Sequence, residues 1–78
     1  MTSIKVKLDS VDKVKEFVDV AGQFAEDLDL AHGKYVIDAK SIMGIFSLDL
    51  SKPLDLTINS NDSGRVKEIS AAFGLFRV

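Results

Sequence analysis

The chain predicts a two-layer α+β sandwich: a four-stranded, largely antiparallel sheet with helices on one face and water on the other. Three observations carry this. Short stretches alternate apolar and polar residues with period two, as half-buried strands do. Two longer stretches each carry one apolar stripe at helical spacing. The stretches follow one another as β-α-β-β-α-β-α, an order that layers helices on a single sheet whose other face stays solvated.

The elements follow in order along the sequence. Ile4, Val6 and Leu8 alternate with Lys5, Lys7 and Asp9 and make the first strand. Ser10 is placed to cap a helix by accepting a hydrogen bond from a free backbone N–H, and Asp12 suits the positive end of the helix dipole. Val11, Val14, Phe17, Val18 and Ala21 form the apolar face of this helix, with Gly22 as its stop. Glu26, Leu28 and Leu30 alternate with Asp27 and Asp29, His32-Gly33 supplies a turn, and Tyr35-Val36-Ile37 returns, which reads as a hairpin. Ser41 precedes the apolar cluster Ile42, Met43, Ile45 and Phe46 and reads as the N-cap of a helix too short to stand without tertiary support. Pro53 closes that segment, and Leu54, Leu56 and Ile58 alternate with Asp55 and Thr57 in a fourth strand. Asn59 to Ser63 is rich in turn and capping residues. The last helix presents Val66, Ile69, Ala72, Phe73 and Phe76 opposite Arg65, Lys67 and Glu68, and Gly74 ends or frays it.

A chain of 78 residues is one domain, 1–78, and its 46% hydrophobic and 28% charged residues are those of a globular protein rather than a disordered tail. With no cysteine there is neither a disulfide framework nor a thiolate metal site. No stretch approaches the ~20 apolar residues that span a bilayer, and Met1 to Lys5 lacks the apolar core of a signal peptide. These features point to the cytoplasm. The net charge of −2, with lysines scattered among acids, gives no footprint for nucleic acid or an anionic membrane.

Chemistry-bearing residues are few. His32 is the one histidine, set between Ala31 and Gly33 beside Lys34, and reads as a turn residue lacking an orienting partner. Asp27 and Asp29 could join it around a metal, but alternating aspartates on a strand more often form a solvated face, and neither a metal nor another cofactor is expected. The run Ile42-Met43-Gly44-Ile45-Phe46 has two readings: ordinary core, which composition favours, or a docking surface, which an adaptable Met and a large aromatic would suit. Ser41 is likewise either a helix cap worth ~1 kcal/mol or a phosphorylation site. Phosphate there would add a charge of ~−2 beside free backbone N–H groups.

The segment from Asp38 to Leu48, with Lys40-Ser41-Ile42-Met43-Gly44 at its centre, resembles the regulatory-serine segment of HPr proteins, the phosphoryl relay of the bacterial sugar phosphotransferase system. The order of elements is similar to that family over nearly the whole chain, which implies its open-faced β-sandwich. In many members the serine matching Ser41 is phosphorylated by an ATP-dependent HPr kinase. The family also places a phosphate-accepting histidine at the start of the first helix, in a Gly-Leu-His-Ala-Arg-Pro-like stretch. Here the corresponding stretch is Leu8-Asp9-Ser10-Val11-Asp12-Lys13, a shortened loop in which Ser10 falls near the histidine position and Asp12 near the arginine position. A phosphoserine ester does not pass its phosphate on readily, and a carboxylate beside an incoming phosphoryl group repels it.

The resemblance therefore implies a non-enzymatic regulatory module. Its binding surface would comprise Ser41, Ile42, Met43, Ile45 and Phe46, with an HPr kinase and a transcriptional or metabolic regulator as partners. Ser10 and Asp12 would mark a degenerate phosphohistidine site, with His32 on the far side of the hairpin. Two rivals stay open: a phosphocarrier of unusual chemistry, and a purely structural or oligomeric domain.

Overall fold

In a computed structural model, which describes residues 2–78, the alternating segments become the strands β1 (Thr2–Val6), β2 (Asp27–His32), β3 (Tyr35–Asp38) and β4 (Leu54–Asn59). The helices are α1 (Val11–Ala21), α2 (Ile42–Phe46) and α3 (Ser63–Ala72), followed by a 3-10 turn over Gly74–Phe76. The strands form one sheet in the order β1-β4-β2-β3 with every pairing antiparallel. Element order and layering are those expected from the sequence.

Inward-facing Ile4, Val6, Leu28, Leu30, Leu54, Leu56 and Ile58 meet Val14, Phe17 and Ala21 of α1 and Ile69 of α3. The Phe17 ring lies 5.0 Å from that of Phe73, tilted to it, and meets Phe76 edge-on at 5.5 Å, so the last turn of chain closes the core. The outward side chains pair with one another in water: Ser3 with Thr57 at 3.0 Å, Lys5 with Asp55 at 2.7 Å, and Asn59 with Asp29 at 2.9 Å. Hydrophobic burial is thus confined to one side of the sheet.

Several boundaries and faces differ from the sequence expectation. β1 ends at Val6, and Leu8 is buried from the connection beyond it because the chain must turn inward to start α1. Val11 is exposed on the rim of an open groove rather than covered, and the buried face of α1 begins at Val14. Ala72 is also exposed, and Phe73 and Phe76 take the buried places at that end. Arg65, expected to point away from the core, is half-buried and reaches back to Glu26 with N–O distances of 2.6 and 2.9 Å. The hairpin turn is Gly33-Lys34, where Gly33 takes the left-handed φ of 60° that a side chain disfavours. His32 is consequently not in the turn: it ends β2, half-buried and opposite Tyr35.

Topology decides which loops meet. β1 and β2 both run antiparallel to β4, with Val6 opposite Leu54 and Ala31 opposite Asp55. The β1–α1 connection, the β2–β3 turn and the start of β4 therefore gather at one end of the sheet. His32 lies at the same end as Ser10, and the expectation that the hairpin carries it to the far side is corrected by this register.

Candidate functional site

Ser10 sits in extended backbone just before α1, and its hydroxyl accepts the Lys13 N–H at 3.1 Å. Asp12 occupies the first turn, and the Asp9 carboxylate stands 3.6 Å from the Lys13 ammonium. The oxygen at this position is engaged as a helix cap.

Ser41 does the same for α2: its exposed hydroxyl accepts the Gly44 N–H at 3.2 Å. The Lys-Ser-Ile-Met-Gly stretch explains itself in packing terms. A Cβ on Gly44 would lie 3.2 Å from Ser41 Oγ and 3.4 Å from Ile37 Cδ1, so the glycine lets α2 lie close against β3. Lys40 anchors the entry, its ammonium donating to the Phe24 carbonyl at 2.7 Å and its N–H to Asp38 Oδ1 at 2.8 Å.

Over its short length α2 splits into two faces. Ile45 is fully buried and Ile42 half-buried against the core, whereas Met43 is 78% exposed and Phe46 42% exposed. Ile45, expected on the binding surface, belongs to the core instead: the step of three residues from Ile42 turns it toward the sheet. Beside Phe46 lies an open groove of about 400 Å³ lined by Leu8, Asp9, Ser10, Val11, Leu50 and Ser51. It joins the start of α1 to the end of α2, with Val11 on its rim 55% exposed. Two of the segments singled out from sequence are thereby brought together. Val11, Leu50 and Ser51 were missed as site residues. The one signal for Leu50 is an apolar side chain stranded in a polar loop.

Asp49 borders this region. The Ser51 hydroxyl, donating at 2.5 Å, and then the Ser51 N–H hold its carboxyl below the usual aspartate range, with Lys52 and His32 adding attraction. On the open face, Asp27, Asp29, Asp38, Lys40 and Asn59 line a separate hollow of about 230 Å³. Among the described residues no group of three potential metal ligands comes together, and Asp29 is bonded to Asn59 rather than to His32. No helix is long and apolar enough to cross a membrane among the described residues.

A four-stranded open face, a capped serine opening a short helix, and a groove between the first two helices define a small open-faced sandwich of the phosphocarrier type. The chain belongs to the HPr family: the pattern described as the PTS HPr component phosphorylation site matches residues 12–75. The match begins in the first turn of α1, just past Ser10. No curated protein matches the chain. Among solved structures it is similar to HPr-C-His from Thermoanaerobacter tengcongensis, at 24% identity and TM-score 0.70 over 95% of this chain and 97% of that one. It is similar to the phosphocarrier protein HPr of Bacillus anthracis, at 24% identity and TM-score 0.66 over 91% and 92% of the two chains. It is also similar to Crh of Bacillus subtilis, described as a swapped dimer, at 24% identity and TM-score 0.64 over 96% and 88%. At these identities the likeness is one of fold.

Proposed function

We propose that this HPr-family chain is a cytoplasmic, non-enzymatic regulatory module that binds protein partners and does not carry phosphate on histidine. Its docking surface consists of Ser41, Ile42, Met43 and Phe46, extended by Val11 and Leu50 around the groove. The observation that carries the reading is the division at this one place. α2 presents Met43 and Phe46 to solvent beside an apolar groove, while at the start of α1, near where the resemblance puts the histidine, Ser10 has its oxygen engaged as a helix cap. Binding hardware is present there and an imidazole is not.

Ser41 is the regulatory residue, phosphorylated by an HPr kinase. Its hydroxyl is exposed, and phosphate on it would set a charge of ~−2 against the docking surface, changing which partners fit without unfolding the domain. Intact mass after incubation with ATP and an HPr kinase tests this: one phosphate is expected on the parent and none on Ser41→Ala. Absence of phosphate on the parent would reduce Ser41 to a cap.

The rival, a phosphocarrier of unusual chemistry, draws on the place of His32 at the same end of the sheet. Against it stands Asp12, near the place where the resemblance puts an arginine and repulsive toward a phosphoryl group. Incubation with phosphoenolpyruvate and the first enzyme of the phosphotransferase system is expected to leave the mass unchanged. A phosphate that disappears in His32→Gln would establish the rival instead.

A further inference from the structure

The docking surface lies where α1 and α2 come together, and the two helices meet at both ends. At one end the start of α1 and the end of α2 border the groove between Val11 and Phe46. At the other the chain leaving α1 passes the chain entering α2, and a side chain crosses between them: the half-buried Lys40 donates its ammonium to the Phe24 carbonyl at 2.7 Å. We propose that Lys40 is the positioning residue of this surface, its tie to Phe24 fixing the entry of α2 and with it the Ser41 hydroxyl. This deepens the reading of Ser41 as the regulated residue and rests on it.

A five-residue helix does not hold itself, so its place is set by what flanks it. The backbone hydrogen bonds at its entry run within the turn or to the sheet. The Asp38 carbonyl accepts the Ser41 N–H at 3.0 Å and the Asp38 carboxylate the Lys40 N–H at 2.8 Å, which closes a turn. The Ala39 N–H donates to the Leu28 carbonyl at 2.9 Å, which seats that turn on β2. None of these reaches α1. The Lys40 ammonium carries the constraint across, to a residue whose own N–H donates to the Ala21 carbonyl at 3.2 Å and so continues from the end of α1.

Charge holds the side chain in the same place. Asp29 and Asp38 are directly opposed across β2 and β3, a like-charge pair that costs stability, and Asp27 lies beside them around the same hollow. Lys40 is the one cation among the residues lining it. An uncharged side chain there would leave the three carboxylates facing one another and would take this donor from the Phe24 carbonyl. The lysine before Ser41 therefore serves two distant segments at once, whereas the serine itself caps only its own helix.

Amide exchange followed residue by residue by NMR tests it on Lys40→Met, which keeps the aliphatic stem and loses the ammonium. The Gly44 N–H, which Ser41 caps, is expected to exchange about three- to tenfold faster than in the parent, the worth of one hydrogen bond, while Leu56 in the middle of β4 keeps its rate. Lys34→Met, which removes the same charge from the β2–β3 turn, is expected to change neither. With ATP and an HPr kinase, phosphorylation of Ser41 is expected to slow in Lys40→Met and to recover in Lys40→Arg, whose guanidinium can donate to the same carbonyl. A Gly44 amide that keeps its rate in Lys40→Met, one that speeds up no more than Leu56, or the same change in Lys34→Met would overturn the proposal. A parent that takes no phosphate would remove the reading of Ser41 instead, and the Gly44 rate would still decide on Lys40.

Discussion

At the scale of single residues the two serines do the same local work with different surroundings. Ser10 and Ser41 each accept the N–H three residues on, in the extended conformation that precedes a helix. Ser10 opens an eleven-residue helix whose Val14, Phe17 and Ala21 are buried, so its cap bears on the whole core. Ser10→Ala is expected to destabilise the fold by about 1 kcal/mol, with Ser10→Asp close to the parent because aspartate caps as well as serine. Urea unfolding of the three proteins checks this. Equal stability of parent and Ser10→Ala would mean that the hydroxyl is free for other use and is not held as a cap at the start of α1.

At the scale of elements, what was legible in the sequence and what was not divide along a physical line. Period and capping are local, and they located all four strands, all three helices and both serine caps. The limits of apolar faces are not local. Val11 keeps helical spacing with Val14 and Val18, and Ala72 with Ile69, but whether such a residue is covered depends on what the fold places against it. Arg65 carries no local sign that a carboxylate at Glu26, far away in sequence, lies within reach. The candidate site was half legible: the Lys-Ser-Ile-Met-Gly stretch marked α2, but the groove beside it forms from Leu8, Val11 and Leu50, which meet only through topology. His32 was misplaced for the same reason, because strand order is a long-range property. The hairpin itself rests on one local device, the left-handed Gly33 between His32 and Tyr35. Gly33→Val is expected to cost about 1–2 kcal/mol, the penalty of that conformation for a side chain. Faster amide exchange confined to β2 and β3, seen by NMR alongside a lower urea midpoint, would locate the loss in the turn.

At the scale of the whole molecule, the segment between α1 and β2 is where distant parts are tied together. Arg65 of α3 clasps Glu26 and stands 5.8 Å above the Phe24 ring, that ring lies 6.3 Å from Phe73, and Lys40 from the entry to α2 bonds the Phe24 carbonyl. The ion pair gives this junction a signature in pH. Hydrogen bonds from Arg65 and then from the Glu26 backbone N–H, with the arginine's charge, outweigh burial and lower the Glu26 carboxyl from 4.5 to about 2. A carboxyl lowered in the folded state stabilises fully above its ordinary value, and that stabilisation is lost as pH falls from 4.5 toward 2. Glu26→Gln keeps the shape and removes the charge, so its urea midpoint is expected below the parent's at roughly pH 6. The gap should narrow through pH 4 and close near pH 2, where the parent's own carboxyl becomes protonated. A gap of constant size across that window would place the difference in packing or hydrogen-bond geometry, and the junction would then hold by shape rather than by charge.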